Sequence, residues 1–140
     1  MKLFNSEGPD TLTRLFTRYF ETATHERKIF FSKDSNDVYS GFGMGDLATG
    51  VFDLCEKFGE FGLKKGDRVA IISENRFEWV ITDFACMFCG LISVPIYSSI
   101  STSQMSFILK QSESKICFVS GFSLLDKIVS VHGELPHLKR

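Results

Sequence analysis

From Arg68 onward, short apolar runs alternate three times with stretches of helical spacing, and this alternation restricts the fold more than any other property of the chain. The runs are Arg68-Val69-Ala70-Ile71-Ile72-Ser73, Leu91 to Ile96, and Ile116-Cys117-Phe118-Val119. None shows the every-second-residue polarity of a strand with one wet face, so each reads as a strand covered on both faces. The intervening stretches are too long for hairpin turns. Parallel pairing with right-handed helical crossovers is the arrangement that accommodates them. The predicted fold class is therefore α/β, a parallel sheet with flanking helices. The last helical pattern runs out at Glu134-Leu135-Pro136-His137-Leu138-Lys139-Arg140, an exit that should lead into a fourth strand. The sheet is thus expected to be incomplete within these residues.

Helix boundaries follow from capping chemistry. Asn75 with Glu78 three residues on has capping-box spacing. The helix it opens carries Trp79, Val80, Phe84, Met87 and Phe88 and stops at Gly90. Ser101 and Gln104 form a second box before a helix to about Gln111. Leu124, Leu125, Ile128 and Val129 are expected to face inward from the final helix. Ahead of Arg68, Asp10 or Thr11 caps a helix from about Thr11 to Ala23, with Leu12, Leu15, Phe16, Tyr19 and Phe20 on one face. Lys28 to Lys33 reads as a strand, Asp34 to Asp37 as a turn, and Val38-Tyr39-Ser40 as a returning partner. A helix from about Gly45 to Gly59 buries Leu47, Val51, Leu54, Cys55 and Phe58, and Gly62 to Asp67 turns the chain into the first main strand. The chain divides into residues 1–62, helices plus a small hairpin, and residues 63–140, the three strand–helix units.

Sixteen basic and seventeen acidic residues nearly cancel, and no basic block is long enough to hold a phosphate backbone, which argues against a nucleic-acid partner. Fifteen Phe against three Tyr and one Trp predict a Phe-rich core. Cys55, Cys86, Cys89 and Cys117 lie in apolar surroundings and no apolar signal segment follows Met1, so they read as reduced, buried thiols of a cytoplasmic protein. Cys86-Met87-Phe88-Cys89 lacks the second ligand pair of a zinc site, and His132 with His137 lacks further ligands. Trp79 to Ile100 is long and apolar, but Gly90 and Pro95 break it, so a buried helix followed by a strand is expected there, with no transmembrane segment.

Gly41-Phe42-Gly43-Met44-Gly45 precedes a helix, but Asp46 stands where a dinucleotide fingerprint needs glycine and a phosphate loop needs lysine. A turn and helix start is the expected reading. Ligands of open parallel sheets sit beyond the carboxyl ends of the strands. The loops there are Glu74-Asn75-Arg76, Tyr97-Ser98-Ser99 and Ser120-Gly121, with Arg76 and Tyr97 as candidates to border a cleft and helix capping with loop solvation as the expected default. Trp79 is expected in the core. His25, His132 and His137 form no Ser–His–acid set, and the carboxylates make no acid/base pair. No residue is assigned a catalytic, cofactor-binding or metal-binding role.

From Leu63 onward the residues resemble a known family. Leu63-Lys64-Lys65-Gly66-Asp67-Arg68-Val69-Ala70-Ile71 is similar to a segment of the adenylate-forming superfamily. Ser73-Glu74-Asn75-Arg76-Phe77-Glu78-Trp79 is similar to the S-E-N-R-P-E-W run of its acyl-CoA synthetases, and Gly90 to Tyr97 to their G-x-x-S-V-P-[IL]-Y. Ser101 to Leu109, Ser112 to Lys115, Phe118-Val119 and Leu125 to Pro136 continue the pattern. The combination looks most like the long-chain fatty acid branch. Phe77 and Thr102 replace first-turn prolines, and Gly43-Met44-Gly45-Asp46-Leu47 replaces a T-Y-x-E-L pattern, departures that bear on helix starts.

The resemblance implies an incomplete N-terminal subdomain of the adenylate-forming fold, belonging to an AMP-forming, ATP-dependent fatty acid–CoA ligase. It implies ATP, Mg and CoA as cofactors of the intact enzyme, and fatty acid and the remainder of the same polypeptide as partners. Homo-oligomers and peripheral membrane contact are compatible with it. The family's phosphate loop, magnesium site, ribose-binding acid and mobile lysine have no matching positions here, so this chain is expected to be scaffold, inactive alone. A stand-alone non-catalytic α/β binding or interaction module is the alternative. A flavodoxin-like nucleotide domain suits the alternation but lacks a phosphate loop.

Overall fold

A computed structural model describes residues 11–22, 27–33 and 36–139. Asp10, Ala23 and Arg140, and the predicted turn residues Asp34 and Ser35, lie outside them. The elements in order are α1 (Leu12–Thr22), β1 (Lys28–Lys33), β2 (Tyr39–Gly43), α2 (Met44–Glu60), β3 (Arg68–Ile72), α3 (Phe77–Phe88), β4 (Ile92–Ile96), α4 (Thr102–Ser112), β5 (Ile116–Val119) and α5 (Phe122–Val131), then a 3-10 turn at His132–Glu134.

The three apolar runs form a parallel sheet in the order β4-β3-β5, with Val69 opposite both Ser93 and Ile116. Only the central strand is covered on both faces: Val69, Ala70, Ile71 and Ile72 are all buried. β4 exposes Ile92 and Pro95, and β5 is half-buried throughout, because these two are the sheet's edges among the described residues. The expectation of three fully covered strands therefore holds for one.

Successive β3 side chains serve opposite cores. Val69 faces a core made with Leu47, Val51 and Phe58 of α2, and with Phe77, Ala85 and Cys86 of α3. Ala70 and Ile72 face a second core with Met105 and Leu109 of α4, Leu124 and Ile128 of α5, and Leu135. Helices thus lie on both faces of the sheet, as the crossover rule requires.

The Phe-rich composition is concentrated in the first core. Phe16 of α1 meets Phe84 at 4.8 Å and Phe88 edge-on at 5.4 Å. Phe42 of β2 stacks on Phe77 at 4.2 Å, and Phe30 of β1 reaches the same ring at 5.6 Å. These aromatic pairs fasten α1 and the β1–β2 hairpin to α3. Gly50 lets α2 approach α3 closely, since a Cβ there would stand 2.6 Å from Ile81 Cδ1.

Several local expectations are corrected. Gly41-Phe42-Gly43 is not a loop but the second half of β2, paired with β1 and aimed at Phe77. On α1 only Phe16 is buried, with Phe20 partly buried against the first core, while Leu12, Leu15 and Tyr19 are exposed. On α5 Leu124 and Ile128 are buried but Leu125 and Val129 are exposed; the second core reaches a narrower face than the apolar residues span. Helix α3 is capped by Arg76 rather than Asn75, with no side-chain cap bond. Glu78 instead takes the Arg76 guanidinium through two bonds, at 2.7 and 3.1 Å, and Phe77, held under Phe42, sets the helix start. The Ser101–Gln104 box forms as expected, the Gln104 N–H donating to Ser101 Oγ at 3.3 Å.

Asp67 closes the turn before β3. Its carboxylate accepts the Lys64 N–H at 2.8 Å and pairs with Lys115 Nζ at 2.8 Å, tying this turn to the start of β5. The Lys115 ammonium first, then the Lys64 amide, hold its pKa below the ordinary 3.8. A depressed carboxylate pKa contributes stability that is complete above the unfolded value and is lost as pH falls through the folded one. We therefore expect the urea midpoint of Asp67→Asn to lie below that of the parent at neutral pH and to fall less as pH drops past 3.8. Parallel urea titrations of the two proteins at neutral and acid pH check this.

Candidate functional site

The carboxyl ends of the three parallel strands bring together the β3–α3, β4–α4 and β5–α5 loops. Two clefts open there. One, about 220 Å³, is lined by Ser73, Arg76, Glu78, Trp79, Thr82 and Ser120 among others. The second, about 270 Å³, is lined by Ser73, Asn75, Trp79, Pro95, Ile96 and Tyr97. Arg76 lines the first cleft and Tyr97 the second. Trp79 does not join either core; it stands between the two clefts in the first turn of α3. Helical periodicity placed it inside because it registers only the side of a helix.

The charged groups of this rim are committed to one another. Besides its two bonds to Glu78, the Arg76 guanidinium donates to the Ser120 carbonyl at 3.3 Å. The pairing raises the Arg76 pKa and lowers that of Glu78. The Ser120 hydroxyl donates to a Glu74 carboxylate oxygen. That bond, the Glu74 amide and then the Ser98 side chain keep Glu74 below its ordinary value. The Glu74–Ser120 link spans 46 residues of sequence and was missed in the sequence. Its only signal was that both residues follow strands of one parallel sheet; their pairing needed the strand order.

Elsewhere charged side chains pair as well, Arg68 with Glu113 at 2.6 Å and Lys110 with Glu134 at 2.7 Å. At the α2 N-terminus the Asp46 carboxylate accepts the Gly43 N–H at 2.7 Å and pairs with Lys28 at 3.1 Å. The positive end of that helix is thus met by the chain's own carboxylate, not held open for an anion. His25 lies outside the described residues. His132 and His137 follow α5, and no group of three metal-ligating side chains gathers among the described residues. No helix among them is long and apolar enough to cross a membrane.

The four cysteines are free thiols. Burial is the main cause that pushes Cys55, Cys86 and Cys117 up to about 12. Cys86 and Cys89 stand at the C-terminal end of α3, where the helix dipole disfavours a thiolate, the reverse of a redox-active C-x-x-C. Alkylation at pH 8 followed by mass spectrometry should leave Cys86 unmodified in the folded chain and label all four thiols in denaturant.

Comparison with known proteins fits this arrangement. The chain is 37% identical over 78 residues to a long-chain-fatty-acid–CoA ligase of Mycobacterium bovis, a match covering 56% of this chain and 13% of that protein. It is 35% identical over 74 residues to fatty acyl-CoA synthetase A of Dictyostelium discoideum, covering 53% and 11%. The chain thus spans a small part of the length of these relatives. Among solved structures, an anthranilate CoA ligase in complex with anthranoyl-AMP superposes with a TM-score of 0.81 at 19% identity, covering 90% of this chain and 23% of that one. The inhibitor-bound N-terminal domain of FACL13 from Mycobacterium tuberculosis gives 0.76 at 22% identity, covering 91% and 32%. These two show the shared fold. The family model for AMP-binding enzymes matches residues 24–140, from before the β1–β2 hairpin through the whole parallel sheet, and the chain accordingly belongs to the AMP-binding enzyme family.

Proposed function

We propose that these residues are the N-terminal portion of the large AMP-binding domain of a long-chain fatty acid–CoA ligase, acting as scaffold for chemistry carried by residues outside this chain. The observation that carries the reading is the match of the family over residues 24–140, together with similarity to long-chain-fatty-acid–CoA ligases. Residues 1–62 add helices and a hairpin to the three strand–helix units of residues 63–140. The partners of the intact enzyme are fatty acid, ATP and CoA, with Mg, and its site of action is the cytoplasm. In that reaction ATP supplies the adenylate that activates the carboxylate before transfer to CoA.

The described residues by themselves do not fit a nucleotide phosphate. Asp46 occupies the α2 N-terminus, and the Arg76 guanidinium is held by Glu78. No catalytic step is therefore assigned to them; their part is to position the loops at the carboxyl edge of the sheet. An ATP–pyrophosphate exchange assay on the purified chain with a long-chain acid is expected to show no exchange above background, and robust turnover overturns the scaffold reading. The reading further expects the coding sequence after Arg140 to supply a strand and then a Ser/Thr/Gly-rich loop ending in Lys. A stop codon there would favour the stand-alone module.

A further inference from the structure

The charged groups of the first cleft are taken up by one another, but the polar groups of the second are left open. The second cleft, about 270 Å³, lies where β3 and β4 end and is lined by Ser73, Asn75, Trp79, Pro95, Ile96 and Tyr97, none of them charged. Two of these residues are aromatic. Trp79 is half-buried yet belongs to neither core, and Tyr97 is 86% exposed. The Tyr97 carbonyl accepts the Ile100 N–H at 3.2 Å, a turn that holds its backbone while the ring stays in solvent. Neither ring meets another ring among the described residues. Among those residues the Trp79 indole N–H, the Asn75 carboxamide and the Tyr97 hydroxyl also have no hydrogen-bond partner. Asn75 is free because Arg76 takes the cap position of α3. None of the buried side-chain nitrogens and oxygens of the described residues lacks a partner, so the unpaired indole N–H is open to solvent rather than sealed in the fold.

We propose that this cleft is a binding slot for a flat, uncharged aromatic ring bearing a hydrogen-bond acceptor, such as a nitrogen heterocycle with a neutral amide. The Trp79 and Tyr97 rings, with Pro95 beside them, offer π faces and apolar edges on which a flat ring gains more than a saturated ring of equal size. The indole N–H only donates, and the Asn75 carboxamide both donates and accepts, so the ligand has to bring an acceptor. No cation among the lining residues offsets the desolvation of an anion, and the carboxylate of Glu74 stands in the same loop as Asn75. The volume lies just under the roughly 300–1,000 Å³ of pockets for drug-sized ligands, which suits one or two rings. The inference stands on the lining of this cleft and does not depend on the ligase reading.

Trp79 is the only tryptophan of the chain, so the nitrogen-labelled protein shows a single indole N–H resonance in heteronuclear NMR, and that resonance reports on the slot. Titration with nicotinamide, a flat uncharged ring with acceptors, is expected to move it saturably, with a Kd on the order of millimolar for so small a ligand. Cyclohexanecarboxamide, the saturated counterpart, and nicotinate, the charged one, should each bind roughly threefold or more weakly. Tyr97→Ala should weaken nicotinamide by roughly three- to tenfold, and Tyr97→Phe, which keeps the ring, should restore binding. Asn75→Ala should weaken it by about threefold, the loss of one neutral hydrogen bond. Both positions are exposed, so all three variants should unfold at the urea midpoint of the parent. A resonance that stays in place, or moves without saturating, overturns the proposal. So does equal binding of the saturated or the charged counterpart, and so does a Tyr97→Ala variant that binds nicotinamide as the parent does.

Discussion

Phe58→Ala is expected to destabilise the chain by about 3–5 kcal/mol, the range for removing a fully buried aromatic side chain. Phe58 lies in the last two turns of α2, is 1% exposed, and meets Phe118 of β5 edge-on at 6.1 Å. It is therefore the point where α2 grips an edge strand of the sheet. The truncation removes the ring's burial and leaves a hole bounded by a helix and a strand, neither of which can close in without disturbing β3. Urea unfolding followed by circular dichroism measures the loss. Phe58→Leu, which keeps most of the volume, should cost clearly less. Near-equal midpoints for Phe58→Ala and the parent would mean that α2 does not bear on β5 as described.

The second large effect belongs to the opposite face. Met105 of α4 is 0% exposed and lies in the core formed by Ala70, Ile72, Leu109, Leu124 and Ile128. Met105→Ala should cost about 2–5 kcal/mol. Phe107, two residues on along the same helix, is 63% exposed. Phe107→Ala should stay within roughly 0.5 kcal/mol of the parent, as surface substitutions away from special features do. The pair is informative because it sets size against position: the larger side chain is expected to matter less. Matching urea titrations of the two variants decide it, and a Phe107 effect equal to that of Met105 would place another surface over α4.

Much of this was legible in the residues. The apolar runs at Arg68, Leu91 and Ile116 became β3, β4 and β5, because a run without polar alternation has few other uses in an α/β unit. The Ser101–Gln104 box and the left-handed Gly90, at φ +65°, ended up where local backbone chemistry put them. Local chemistry failed at Asn75, where packing of Phe77 under Phe42 took precedence over the better cap residue. It failed again at Gly41 to Gly43, whose glycines suggested a loop but whose backbone pairs with β1.

The candidate site divides the same way. The sequence by itself determined which loops follow strands, and so that Glu74, Arg76, Tyr97, Ser98 and Ser120 would gather at one edge. This follows because parallel strands point the same way and their following loops share one end of the sheet. Only the tertiary structure decided that β3 lies between β4 and β5. That order sets the β3–α3 loop between its two neighbours, which places Glu74 against Ser120 and leaves Trp79 between two clefts rather than in a core. Strand order is a matter of how separate segments fit side by side, and spacing along one chain carries no record of it.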